Sequence, residues 1–189
     1  MSVIVLIGES ANGKSTTEKI LNSKYHYNRT ISYTTRTPRI GEKDGVDYHF
    51  ITKDEFIEKM NDDFFAEVGS YKGNYYGSVI DDYGEYTVCV LTPHGMRQIK
   101  KTLGNKQDVV TFYLKVDARD RIIKALKRGD EINEVFRRYQ SDVGMFDGIS
   151  DEVDYIIEND GYICNAEEIA NEIIEILYER ARVKEADDE

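Results

Sequence analysis

Two cysteines, two prolines, three histidines and no tryptophan stand among 189 residues, and 25 basic side chains face 36 acidic ones. Each shortage removes a class of protein. Cys89 lies in an apolar run and Cys164 in a late loop, which offers neither a disulfide framework nor zinc-ligand spacing. His26, His49 and His94 form no H-x-x-x-H pair, so no structural transition-metal site is expected. The net charge of −11 argues against nucleic acid or an anionic membrane surface as a partner, and any anion site must be local. No apolar run approaches the roughly 18 residues of a membrane span, and the N-terminus carries no signal-peptide pattern. A cytoplasmic protein without membrane association is expected.

What remains is the composition of one folded domain, 40% hydrophobic. Apolar runs at Val3 to Ile7, Tyr86 to Leu91, Val109 to Val116 and Tyr155 to Ile157 alternate with helical patterns after Lys14, His94, Asp117 and Asn165. That alternation predicts an α/β fold, a parallel sheet with crossover helices. Thr52 with Glu55 fits a capping box, and Asp117 can cap a helix from Ala118. Ile169, Ile173, Ile176 and Leu177 fall at helical spacing, a core-facing stripe. Between the first helix and Tyr86 the texture changes to short tyrosine-rich strands and repeated glycines, which reads as an insertion over the sheet. A second insertion runs from about Lys127 to Tyr139, where Gly129 permits a hinge before a charged helix. The acidic tail after Val183 is expected to fray.

The strongest local signal is Gly8-Glu9-Ser10-Ala11-Asn12-Gly13-Lys14-Ser15, directly after the first apolar run. The G-x-x-x-x-G-K-[ST] spacing lets backbone N–H groups of Gly8, Ser10, Ala11, Asn12, Gly13 and, in the helix, Thr16 surround a triphosphate such as ATP. It extends Lys14 to the β/γ oxygens and places the Ser15 hydroxyl on Mg²⁺. The helix that follows adds its positive end. Further along, Arg36 and Arg39 flank Pro38 and can present two guanidinium forks to one phosphate. Tyrosine hydroxyls follow in Gly45-Val46-Asp47-Tyr48-His49-Phe50 and Gly73-Asn74-Tyr75-Tyr76-Gly77-Ser78. Taken singly, such tyrosines ordinarily cap small cores, and such arginines are ordinarily solvated.

Taken in order, GESANGKST, SYTTRTPRIGEKDGVDYHF, FFAEVGSYKGNYYGS and DYIIEND resemble nucleoside-monophosphate kinases of the guanylate kinase type, from about Val3 to Tyr178. The resemblance implies a P-loop core of about 1–31, 84–126 and 142–183, a GMP-binding insertion of about 32–83, a lid of about 127–141 and a tail of 184–189. It implies that Arg36, Arg39, Tyr48 and Tyr76 hold the acceptor phosphate while Ser32, Glu67 and Ser78 read guanine. It also places Arg128 and Arg138 as lid arginines that clamp the migrating phosphoryl group with Lys14 and Arg36, and Lys124 where a third arginine is expected. The chemistry agrees, since a carboxylate can accept from guanine N1–H and N2–H₂ and serine hydroxyls can donate to O6.

The chain departs from the family pattern in two places. Val90-Leu91-Thr92-Pro93-His94-Gly95 stands where the family usually carries an aspartate-x-aspartate pair before glutamine-glycine, acids expected to organise the Mg²⁺ water shell and to contact the guanine amino group. Thr92 preserves a hydrogen bond there without the charge, and Asp81, Asp82 and Asp117 are conceivable substitutes. In the P-loop, Glu9 and Ala11 replace a common proline and glycine, and Glu9 adds negative charge beside a phosphate site unless it points away. The expected activity is phosphoryl transfer from Mg-ATP to GMP or dGMP, by a monomer or homodimer. The alternatives are a kinase of altered purine or deoxynucleotide preference, and a silent binding module on the same scaffold.

Overall fold

The computed structural model describes residues 2–38, 41–71, 73–159 and 165–187. In chain order the first elements are β1 (Ser2–Ile7), α1 (Lys14–Tyr25), β2 (Asn28–Arg29), β3 (Tyr33–Thr34), β4 (His49–Phe50), α2 (Lys53–Asn61), β5 (Phe65–Tyr71) and β6 (Asn74–Val79). Then follow β7 (Thr87–Val90), α3 (Pro93–Leu103), β8 (Asp108–Lys115), α4 (Ala118–Lys127), α5 (Ile132–Asp142), β9 (Tyr155–Glu158) and α6 (Ala166–Asp187). The expected α/β class holds. A five-stranded sheet runs β2-β7-β1-β8-β9 with all neighbours parallel.

β1 is buried at every position because it lies between β7 and β8 with helices on both faces. Its side chains alternate. Ile4 and Leu6 join Leu21 of α1 and Ile169, Ala170 and Ile173 of α6, whereas Val3, Val5 and Ile7 join Met96, Ile99 and Leu103 of α3. Each such aliphatic side chain contributes about 2 kcal/mol on burial. The connections leaving β1 and β7 therefore enter helices on opposite faces, which opens a crevice at the carboxyl ends of these strands, the usual place for a ligand in such sheets.

A second sheet, β4-β3-β6-β5, forms from the glycine- and tyrosine-rich stretch. β3 pairs parallel with β4, and the β3–β6 and β5–β6 pairs are antiparallel. The Thr52–Glu55 capping box opens α2, whose buried Phe56 stacks on Phe65 and Tyr75 at 4.5 and 5.4 Å between ring centroids. Gln98 of α3 accepts the Val68 N–H of β5 at 2.8 Å and so ties this sheet to the core. Gly129, in the left-handed region at φ 89°, separates α4 from α5.

The tail differs from expectation, since α6 continues unbroken through Asp187. Asp108 explains this, because Arg180 and Lys184 reach it at 3.1 and 2.9 Å and Ser2 donates to it at 2.7 Å. Burial pushes the Asp108 carboxyl up, but those three donors outweigh it and hold the group well below the usual carboxylate range. Among the described residues no helix is long and apolar enough to cross a membrane. Cys164 and Arg39 lie outside the described residues.

Candidate active site

The loop between β1 and α1 is shaped by residues that only that turn requires. Gly8 has φ 147°, and a Cβ there would lie 1.8 Å from Asn12 Nδ2 and 2.6 Å from Leu114 O. Asn12 is buried and donates to that same carbonyl at 2.7 Å, so it faces the sheet and shapes the loop from behind. Ala11 adopts φ 65°, a left-handed backbone that costs a non-glycine residue about 1 kcal/mol. Gly13 at φ 105° ends the loop, and its carbonyl accepts the first helical N–H groups of α1 at 2.9 and 3.0 Å.

Lys14 is folded back over this loop. Its Nζ donates to Gly8 O at 2.6 Å, Glu9 O at 2.8 Å and Asn12 Oδ1 at 2.9 Å, which uses all three protons. Burial lowers its pKa to about 8, opposed by the carboxylates of Asp142 and Glu9. A ligand phosphate at this position would have to exchange for the loop carbonyls.

A cavity of about 660 Å³ opens above the loop. Gly8, Ser10, Ala11, Lys14 and Ser15 line it from the P-loop, Arg36, Tyr48 and Tyr76 from the second sheet, and Arg128 and Arg138 from the segment around α5. Four expected residues stand apart: Gly13 and Thr16 belong to the turn into α1, Asn12 faces the sheet, and Lys124 on α4 is not among the described side chains lining this space. Each cavity arginine rests on a carboxylate. Arg36 is bidentate to Glu42 at 2.9 and 3.0 Å and lies over the Tyr48 and Phe50 rings. Arg128 is bidentate to Asp130, and Arg138 pairs with Glu134 at 2.9 Å and Asp130 at 3.4 Å.

An adjoining cavity of about 590 Å³ shares Tyr76, Val90, Leu91, Thr92 and Met145 with the first and adds Ser32 and Glu67. Glu67 is buried on β5, and its Oε1 accepts the Ser78 hydroxyl at 3.0 Å. Burial raises its pKa to about 7 against the hydrogen bonds from Ser78. Ser78 itself is wholly buried beneath Glu67 and lines neither cavity. Thr92 caps α3, with its hydroxyl oxygen accepting the Gly95 N–H at 3.1 Å. Its proton and its second lone pair remain, so this position presents a neutral hydroxyl in place of a charged carboxylate acceptor.

Asp81, Asp82 and Asp117 line neither cavity among the described residues, and Asp117 instead caps α4 by accepting the Arg119 N–H at 2.8 Å. The carboxylates that do line the phosphate cavity are Asp130 and Asp142. Asp142 was missed in the sequence, as was the network it belongs to. Its Oδ2 accepts the Ser10 N–H at 2.8 Å and lies 3.5 Å from buried Arg121, whose other nitrogen is 3.9 Å from Glu9. Glu9 points away from the cavity, to the Tyr113 hydroxyl at 2.9 Å. The available signal was phase: Arg121 shares the inward face of α4 with buried Ala125, four residues on, where a solvated arginine does not belong.

The residues present fit Mg²⁺. That ion takes few protein ligands, keeps several waters and favours a site shared with phosphates and carboxylates, as Ser15 and Asp142 beside the P-loop would provide.

The family model described as guanylate kinase matches residues 1–178. The guanylate kinase of Clostridium perfringens (strain 13 / Type A) is 34% identical over 190 residues, covering 96% of this chain and 85% of the relative. That of Fusobacterium nucleatum is 30% identical over 185 residues, covering 93% and 95%. The crystal structure of guanylate kinase from Anaplasma phagocytophilum shares the fold, with a TM-score of 0.70 at 22% identity over 95% of this chain and 85% of that one.

Proposed function

The chain belongs to the guanylate kinase family, a nucleoside-monophosphate kinase, and on that premise we propose that it transfers the γ-phosphoryl group of ATP to GMP or dGMP. The observation that carries this reading is the pair of joined cavities. One collects the P-loop, Arg36, Tyr48, Tyr76 and two lid arginines, and the other ends on a buried carboxylate. Arg39, the other acceptor-phosphate arginine that the resemblance implies, is proposed on the same basis from the sequence alone.

Phosphoryl transfer has a loose transition state, so the chain's task is to align the two nucleotides and to neutralise charge. Arg36 with the hydroxyls of Tyr48 and Tyr76 would hold the acceptor phosphate. Lys14 exchanges two loop carbonyls and the Asn12 side-chain oxygen for β/γ oxygens, while Arg128 and Arg138 release Asp130 and Glu134 and turn to the migrating group. Ser15 would hold Mg²⁺, which when bound supplies further neutralisation of the donor phosphates. Closing the helix–Gly129–helix segment over the cavity would exclude water and suppress hydrolysis. No general base is needed.

A second reading is favoured by Thr92. Because it offers one remaining lone pair of a neutral hydroxyl where a 2-amino group would otherwise meet a charged acceptor, the 2-position of the purine is read weakly, and IMP is expected to compete with GMP as acceptor. ADP release from Mg-ATP with GMP, dGMP, IMP, AMP, CMP and UMP tests both, with Lys14→Ala as control. Turnover confined to GMP and dGMP supports the first reading, and comparable kcat/KM for GMP and IMP supports the second. GMP binding without turnover of any acceptor would overturn the kinase assignment for this chain.

A further inference from the structure

Behind the base cavity a third group completes a buried chain of hydrogen bonds. Tyr83 follows the one-turn helix Ile80–Asp82, is buried in the core beside Ala66, Cys89 and Met96, and brings its hydroxyl 2.6 Å from Ser78 Oγ. Ser78 and Tyr83 are shielded from solvent and Glu67 meets it only where it lines the cavity, so the polarity of the inner part of this chain is decided among the three groups.

Ser78 has one proton and two lone pairs. With an ionised Glu67 its proton goes to Oε1, 3.0 Å away, and the short contact to Tyr83 is then filled by the tyrosine proton. Protonation of Glu67 on Oε2 would keep this polarity but leave Ser78 donating to a neutral acceptor, and protonation on Oε1 would reverse it, with Glu67 donating to Ser78, Ser78 donating to Tyr83, and the Tyr83 proton going elsewhere. The acceptor beside Tyr83 is the Cys89 sulfur, a weak one. The first arrangement ends on a carboxylate and the second on a thiol, so the Tyr83 hydroxyl favours an ionised Glu67.

We infer that Tyr83 is a positioning residue for base recognition: its hydroxyl donates to Ser78, commits the Ser78 proton to Glu67, and so keeps the Glu67 carboxyl an acceptor for a purine that presents N1–H. The inference rests on the reading that this cavity takes a 6-oxopurine. It also assigns Ser78 a task other than the expected one, since a proton committed to Glu67 is not available to purine O6. A Glu67 protonated on Oε2 would donate instead, which suits the bare N1 of a 6-aminopurine. Tyr83 thereby sets the preference between the two base classes.

The surrounding groups do not substitute for it. Across β6 and β7, burial pushes both the Tyr83 hydroxyl and the Cys89 thiol up, so neither carries charge near neutral pH. On α3, Arg97 is turned to Glu152 at 2.5 and 2.7 Å, His94 contacts Gln98, and Gly95 presents backbone to Glu67 Oε2.

The test has two readouts. In the free protein, the ¹³C-carboxyl resonance of Glu67, assigned by comparison with Glu67→Gln, is titrated in wild type, Tyr83→Phe, Ser78→Ala and the double variant. The midpoint should rise in each single variant, and Tyr83→Phe should add nothing once Ser78 is absent. In turnover, Tyr83→Phe should raise KM for GMP roughly threefold to tenfold at pH 7 while kcat and KM for ATP change less than about twofold, and should narrow the preference for GMP over AMP. An unmoved midpoint, or equal effects of Tyr83→Phe with and without Ser78, would overturn the role of Tyr83 even if GMP is turned over normally. Conversely, a raised midpoint in a protein that does not phosphorylate GMP would overturn the substrate reading and leave the role of Tyr83 on Glu67 standing.

Discussion

At the phosphate end of the site four arginines each rest on a carboxylate: Arg36 on Glu42, Arg121 on Asp142, Arg128 on Asp130 and Arg138 on Glu134. At the base end Glu67 is buried with a serine hydroxyl on Oε1, and the groups behind it are neutral. The first arrangement suits exchange, because an arginine that turns from its carboxylate to a phosphate trades one charge-assisted pair for another and is not left without a counter-charge. The second suits discrimination, because a buried group with fixed polarity penalises any base that presents the wrong edge. On the proposed function, affinity for phosphate and choice of base would thus be built from different physics within two adjoining cavities.

Glu67→Gln breaks the base end most directly. The amide is nearly isosteric but carries a donor towards N1–H, so kcat/KM for GMP should fall roughly 10²- to 10³-fold with the KM for ATP little changed. Steady-state kinetics with each nucleotide varied in turn would check the split. A loss shared equally between the two nucleotides would mean that the two ends are not separable.

Asp142→Asn is the corresponding change at the phosphate end. The amide oxygen can still accept the Ser10 N–H, but buried Arg121 loses its nearer counter-charge, and thermal stability should drop by about 2 kcal/mol, or roughly 5 °C. Asp142 is also the largest influence holding the Lys14 pKa up. In wild type, kcat/KM for ATP should decline as pH rises past about 8, where free Lys14 loses its proton, and in Asp142→Asn the decline should begin at lower pH. A pH profile of both proteins would show it, and coincident profiles would mean that Asp142 does not act on Lys14.

Glu67 makes the pH dependence of the two ends opposite. Its folded pKa of about 7 lies above the ordinary 4.5, so the folded protein holds a proton that the unfolded chain has released between those values. Stability therefore falls as pH rises through that window, by at most about 3 kcal/mol from this one group. Acceptance of GMP, on the proposed function, should run the other way and improve as Glu67 ionises. Denaturant unfolding at pH 5 and pH 8 should show the difference reduced in Glu67→Gln.

Much of this was legible in the chain. The parallel sheet followed from four apolar runs, of which the first, β1, is buried at every position, and the P-loop from a spacing that few other turns produce. The capping box before α2 and the Asp117 cap before α4 form as their local patterns require. What the chain did not show were relations between distant residues. Glu9 stood out in sequence only as a misplaced charge and Arg121 only by its helical phase, and with Asp142 they become a buried network because α4, α5 and the P-loop converge. Tyr83 lies beside a glycine with nothing local to mark it, and its hydroxyl gains a partner only because Ser78 of β6 comes within reach. The helical end of α6 was hidden for the same reason, since Asp108 lies 76 positions before Lys184.

Gly95→Ala gives the smallest expected effect and the finest test of the comparison. A Cβ at this position would sit 2.9 Å from Glu67 Oε2 and 3.5 Å from the Leu91 Cβ, so the carboxylate must shift by a few tenths of an ångström. Its backbone is not in the left-handed region, so alanine is compatible with α3 and even favoured there by helix propensity, about 1 kcal/mol against the strain of the close contact. Stability should therefore change by less than about 1 kcal/mol in either direction. Recognition is less tolerant, because a displaced Oε2 meets the purine edge at a poorer angle, and KM for GMP should rise about threefold while KM for ATP stays fixed. If the variant instead weakened ATP and GMP alike, α3 would be transmitting strain to the P-loop, and the base end could no longer be treated as a separate recognition element.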